Sequence, residues 1–255
     1  MRSIRGGSGL GDAIYVQAIA RHLVRKGERL QVCSAWPDVF RPLGDSVEVV
    51  PFRRGGVDIL AHYSLRKPID GTTQFQDCCI QAGITEPVEL RLDWQPSSVP
   101  IMRNGLPVVC VQLPRAPMNR RDGFGSELLP DCRVIQTLID ELSGRALIVL
   151  IGSGKPLFKF TGIDVDLSNS TTVPELFDMA HMADAFIGYP SFIIPLAEAL
   201  DKPSLLVWSS RGLRAPQKYV RQITPRKVLH KPSSHHVVDD WPRERILGAL
   251  GGLLL

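Results

Sequence analysis

The sequence predicts an α/β fold made of two doubly wound domains, an N-terminal one over residues 1–104 and a C-terminal one over 105–255. Three observations carry this. Strand-like apolar runs alternate with helical patterns along nearly the whole chain, as parallel sheets with right-handed crossovers require. A glycine-rich turn, Gly6-Gly7-Ser8-Gly9-Leu10-Gly11-Asp12, joins the first strand to the first helix. A proline-bearing stretch at 96–100, followed by Asn104-Gly105, separates two such series and marks the linker.

In the first series, residues 1–5 form a short strand that leads into the glycine turn. Residues 12–26 then repeat apolar positions at helical spacing and stop at Lys26-Gly27. Strands are expected at 29–35, 47–52 and 57–61, with a short helix at 37–44, a helix at 73–83, and an alternating, edge-like strand at 87–92. The second series has strands at 106–113, 146–151, 163–167, 185–188 and 204–208, with helices at 132–142, 173–183 and 192–200. Residues 225–241 read as a loop, and a last helix starts near Trp241-Pro242 with Asp239 or Asp240 as its cap.

Composition limits the function. Apolar residues make up 44% of the chain and charged residues 22%, which describes an ordinary globular core rather than disorder. Thirty Lys and Arg against 26 Asp and Glu suit local anion binding and not a nucleic-acid coat. The five cysteines are odd in number and lack a C-x-x-C, so they point to free thiols in a reducing cytoplasm and not to a disulfide framework or zinc site. No leader-like apolar region or stretch of about 18 apolar residues is present, so neither secretion nor membrane spanning is expected. His235-His236 without a third ligand reads as a solvated loop.

The glycine turn is the first candidate site. Glycines let the backbone approach a ligand, and the helix start offers free N–H groups to an anion. Ser8, Gly9 and Gly11 are the candidate ligand-facing positions here; Asp12 is either a reacting carboxylate or a helix N-cap. A dinucleotide fingerprint fits poorly. The spacing is G-x-G-x-G-D, and Ser34-Ala35-Trp36 stands where an acid should end the second strand.

Ligands of open α/β sheets sit beyond the carboxyl ends of the strands. At those ends in the second domain stand Arg115, Arg120 and Arg121, then Gly152, Ser153 and Lys155, then Tyr189 and Ser191, then Arg211. Arginine forks, hydroxyls and helix N–H groups suit phosphate oxygens.

Together, these features resemble the bacterial ADP-heptose:lipopolysaccharide heptosyltransferase family. They are the Leu10-Gly11-Asp12 turn, the 108–121 strand and loop, the Gly152-Ser153-Gly154 turn, Asp166-Leu167-Ser168 through Leu176, and Ala183 to Gly188. The resemblance implies two Rossmann-like domains facing across a cleft, the glycosyltransferase B architecture. It further implies inverting, metal-independent sugar transfer from a nucleotide diphosphate donor such as an ADP-linked sugar to a glycan or lipopolysaccharide-type acceptor. Asp12 would be the general base, and Arg120 or Arg121 would lie near the donor phosphates. No separate cofactor is implied; contact with a membrane surface would be peripheral. The family's D-S-G-P-x-H turn is replaced by Pro190-Ser191-Phe192-Ile193-Ile194-Pro195; only the serine and helix context remain. Glu198 either faces the nucleotide ribose or is a solvated helix residue. The first domain is shortened near residues 55–72. A non-catalytic nucleotide-binding or interaction protein on the same fold is the alternative.

Overall fold

A computed structural model describes residues 1–53, 55–63, 69–97, 105–115, 129–214, 224–229 and 231–253. The 104/105 boundary therefore abuts residues outside the described ones, and Arg120 and Arg121 lie among them.

The first sheet is wholly parallel, in the order β3-β2-β1-β4, with β1 at Arg2–Arg5, β2 at Leu30–Ser34, β3 at Val47–Pro51 and β4 reduced to Ile59–Leu60. Helix α1 (Leu10–Arg25) crosses from β1 to β2, and a 3₁₀ segment (Pro37–Ser46), broken at Gly44, from β2 to β3. Helix α2 (Gln74–Gln81) starts at Thr73, whose Oγ1 accepts from the Gln76 N–H while Gln76 Oε1 accepts from the Thr73 N–H. That reciprocal pair satisfies two donors a helix start leaves open.

The second sheet is also parallel, in the order β10-β9-β8-β5-β6-β7. Its strands are β5 (Val108–Gln112), β6 (Leu147–Ile151), β7 (Val165–Asp166), β8 (Ala185–Gly188), β9 (Ser204–Trp208) and β10 (Ser234–Val238). Helix α3 (Cys132–Leu142), α4 (Val173–Met182), α5 (Ile193–Leu200), the short turns α6 (Ser210–Arg214) and α7 (Pro225–Val228), and α8 (Arg243–Leu250) complete it. Counted within this domain, the order is 3-2-1-4-5-6, and the first sheet is its 3-2-1-4 portion. Strand order therefore reverses between β5 and β8 in one sheet and between β1 and β4 in the other. Open α/β sheets generally bind ligands at crevices of this kind.

Period-2 alternation in β5 decides which face looks where. Val109 and Val111 pack with α3 and α8, whereas Val108 and Cys110 share a core with α4, α5 and the first domain. That core is continuous, running from Ile4 and Ile14 through Ile193 and Leu196 to Trp208. Helices α1 and α5 meet directly: a Cβ built on Gly11 would stand 3.0 Å from Pro195 Cγ and 3.3 Å from Phe192 Cα. Glycine at position 11 is thus what allows the two helix starts to touch.

Three expectations need correction. Residues 87–92 form no strand. Leu90 and Leu92 are buried and Glu89 and Arg91 exposed, which mimics a strand pattern, but the segment is a strap across both domains. Gln17 Nε2 donates to Asp93 O (2.9 Å), Gln17 Oε1 accepts from Asp93 N (3.1 Å), Arg21 donates to Glu89 O (3.2 Å), and Leu92 N donates to Ala199 O (3.1 Å). Further on, Asp178 of α4 accepts from Trp94 Nε1 (2.7 Å), from Ser97 N (3.2 Å) and from Ser97 Oγ. His235 and His236 stand on β10 and not on a loop, because parallel pairing with β9 satisfies their backbone. Nor is the start of the 225–241 stretch a loop, since Pro225–Val228 forms α7; the last helix packs Ile246, Leu250 and Leu253 into the α3 face of the second domain, and Leu254 lies outside the described residues.

Candidate active site

At the first crevice, β1 ends at Arg5 and β4 at Leu60, so Gly6-Gly7 and Ala61-His62 border the same opening. Asp12 is not the N-cap. Gly9 holds that position, and Asp12, the third residue of α1, reaches back so that its Oδ2 accepts from Gly9 N at 3.1 Å. An acid in the first turn also complements the helix dipole. The carboxylate stays part-exposed at the mouth of the crevice, and a Cβ on Gly7 would lie 2.6 Å from Asp12 Cγ and 3.0 Å from His62 Cδ2. Gly7 thus makes room for two ionisable side chains to converge. Ser8 and Gly9 are exposed, and Trp36 Nε1 donates to Ser8 O at 2.9 Å, fixing the turn from the β2 side.

Behind Asp12 the side chains are buried. Tyr15, one turn along α1, is buried, and its hydroxyl is pushed well above the ordinary phenol range by that burial first and then by Cys78, Glu198 and Asp12. The Cys78 thiol is likewise pushed up, mainly by burial and next by the Asp12 charge. Glu198, on α5, is only 1% exposed and accepts from Ser234 Oγ, so the solvated reading of it is corrected. A carboxylate this deep needs such partners to offset its lost hydration.

At the second crevice, β5 ends on Gln112 and β8 on Gly188. Gln112 Oε1 accepts from Ser191 Oγ (2.7 Å) and from Tyr189 N (3.5 Å), and Ser191 Oγ in turn accepts from Ile193 N (3.4 Å). Gly188 has no room for a side chain, since its Cβ would meet Gln112 Oε1 at 2.9 Å. Tyr189 is buried, its phenol pushed up by desolvation, and its oxygen accepts from Arg115 N at 3.5 Å.

Arg115 pairs its backbone with Pro156 in an antiparallel bridge, which brings the Gly152-Ser153-Gly154-Lys155 turn alongside it. Gly152 and Gly154 have φ of 116° and 112°, a region that favours glycine. Asn169 braces the turn, donating from its backbone to Gly152 O (2.8 Å) and accepting from Gly154 N (2.6 Å). Ser153, Lys155 and Arg115 are all exposed there.

Arg211 is set apart. It lines a 510 Å³ cavity with Asp131, Cys132, Arg133, Phe158 and Asp239, beside the start of α3. Among the described residues no three His, Cys, Asp or Glu side chains are grouped to hold a metal ion.

Gln112 and His62 escaped the sequence reading. The first hides at the end of the apolar run Val108-Val109-Cys110-Val111-Gln112; the signal that finds it is the combination of strand end, inward face and switch point. His62 follows a two-residue strand too short to register.

Two doubly wound sheets opposed through their switch-point helices define the glycosyltransferase B architecture. Neither a protein-family model nor a curated protein matches the sequence. Solved structures do. The E. coli ADP-heptose lipopolysaccharide heptosyltransferase II superposes with a TM-score of 0.64 at 15% identity, over 100% of this chain and 98% of that one. The iron-containing dodecameric glycosyltransferase TibC from enterotoxigenic E. coli gives 0.61 at 16% identity, over 91% of this chain; the match spans only 63% of TibC. E. coli heptosyltransferase WaaC with ADP gives 0.55 at 10% identity, over 100% of this chain and 99% of that one. The chain therefore has the heptosyltransferase-like α/β fold, as the sequence resemblance implied. No helix among the described residues is long and apolar enough to cross a membrane.

Proposed function

We propose that the protein is a nucleotide-sugar-dependent glycosyltransferase of the heptosyltransferase type. One observation carries the proposal: the start of α1, with Asp12, is packed against the 190–195 turn of the second domain at the two switch points. A base on one side and a phosphate-facing turn on the other is the arrangement sugar transfer needs. Asp12 accepts the proton of an acceptor hydroxyl as that oxygen attacks the anomeric carbon, and the nucleotide diphosphate departs from the opposite face, inverting the centre. Positive charge and helix N–H groups in the second domain stabilise the leaving diphosphate without a metal. We assign that role to Arg115, Ser153 and Lys155, which share the bridged 115/152–156 region and are exposed, together with Arg120 and Arg121, which the resemblance puts near the phosphates.

ADP is the leading donor nucleotide, because WaaC was solved with ADP and TibC with ADP-D-β-D-heptose. A glycan or lipopolysaccharide-type acceptor would enter on the first-domain side, with the reaction in the cytoplasm and at most peripheral membrane contact. The test is Asp12→Asn with ADP-heptose and a glycan acceptor mixture. Transfer should vanish while ADP binding stays within about twofold; undiminished turnover sinks the assignment.

A second reading, a non-catalytic nucleotide-binding protein, is favoured by the continuous apolar core joining the domains and by Phe192 in place of a glycine. It predicts nucleotide binding with neither transfer nor donor hydrolysis in the wild type.

A further inference from the structure

The 188–191 turn raises a question its sequence does not answer: with the usual acid, glycine and histidine gone, which group donates to a ligand there? Ser191 is the obvious choice, but the geometry commits its proton elsewhere. The Tyr189 backbone N–H can only donate, so the side-chain atom of Gln112 that faces it must be the oxygen. Ser191 Oγ lies 2.7 Å from that same oxygen and must therefore donate to it. One of its two lone pairs is used as well, by the N–H of Ile193 at 3.4 Å. The serine is a brace of the turn, with no donor left to offer.

The same constraint turns the Gln112 Nε2 the other way. Gln112 is only 3% exposed, yet Nε2 has no hydrogen-bond partner among the described residues and is not among the sealed, unpartnered side-chain atoms. Leaving a buried amide half-satisfied is unfavourable unless something else accepts from it. Alternation along β5 puts Gln112 on the face it shares with α5 and the first domain, at the crevice where the strand order reverses. Arg115 follows three residues later.

We propose that Gln112 is the ligand-contacting donor of this turn, presenting Nε2 to a phosphate oxygen of the bound nucleotide while its Oε1 holds Ser191 and Tyr189 in place. The inference rests on the nucleotide-sugar reading above and names the group that replaces the lost turn chemistry. Gly188 belongs to the same device, since any side chain there would collide with the amide.

The test is calorimetric titration of ADP, inorganic pyrophosphate and adenosine into wild type, Gln112→Glu, Gln112→Met and Ser191→Ala. Gln112→Glu keeps an oxygen for Ser191 but exchanges the donor for negative charge; Gln112→Met removes the donor at similar volume and serves if the glutamate variant fails to fold. Loss of a hydrogen bond to a charged group corresponds to about tenfold to a hundredfold weaker binding. Both Gln112 variants should lose pyrophosphate and ADP affinity by that factor with adenosine binding unchanged, and Ser191→Ala should change it less than fivefold. Wild-type affinity for pyrophosphate in both Gln112 variants overturns the inference and leaves the nucleotide-sugar reading standing. A wild type that binds neither ADP nor pyrophosphate overturns both.

Discussion

Replacing Gly7 by alanine separates catalysis from stability at this site. Gly7 does not need positive φ, so alanine is sterically acceptable in the backbone and only space is at stake. The added Cβ would stand 2.6 Å from Asp12 Cγ and 3.0 Å from the His62 ring, both of them outer atoms of side chains and not fixed backbone. The carboxylate can escape by turning away from Gly9 N, giving up the 3.1 Å bond that caps α1. Losing a helix-start contact of this kind costs about 1 kcal/mol, or about 2–4 °C in Tm for a chain of this size. The retreat needed to restore ordinary contact is on the order of 1 Å, and a misplacement of that size lowers a rate about a hundredfold. Catalysis should thus suffer far more than folding. Product formation by mass spectrometry, thermal melts and pyrophosphate titration read the three quantities separately. Turnover within threefold of wild type would refute the placement of Asp12 at the reacting centre. A stability loss above about 4 kcal/mol would instead mean that Gly7 serves core packing.

Two further outcomes test the frame around the site. Asp178→Ala removes the acceptor for Trp94 and Ser97 at a position only 6% exposed, leaving those donors stranded; it should destabilise the protein by about 2–3 kcal/mol and shift Trp94 emission to the red. Glu86, contacted by Lys26 and His22, has its carboxyl pulled down to about 2, first by Lys26 and then by His22. The folded value lies below the unfolded one, so its stabilisation is present above about pH 4.5 and is lost as pH falls towards 2. Thermal melts should therefore show Glu86→Gln losing less stability than wild type across that acid window.

Most of the sheet architecture was legible because fully buried parallel strands read as short apolar runs, and β5, β6, β8 and β9 are of that kind. What failed had local patterns shared by two structures. Residues 87–92 alternate as a strand would, but their backbone is bonded elsewhere, Glu89 O to the Arg21 side chain and Leu92 N to Ala199 O. Edge strand β10 buries only Val237 and Val238, so its polar half read as a loop. Strand ends locate the ligand edge of a sheet but not which side chains meet there: Arg211 lines a cavity with Asp131 and Asp239, whereas Ser191 is bonded to Gln112. Asp12 was singled out from the turn itself; that it caps α1 from its third position depends on a side-chain rotamer that the sequence does not disclose.

Hydrogen exchange of the wild-type protein with and without saturating ADP tests the central claim most directly. Binding should slow exchange at residues 112–115 and 188–194 and at the start of α1, and leave α8 unchanged. Protection confined to the Asp131–Arg211–Asp239 cavity, with none at residues 188–194, would contradict it.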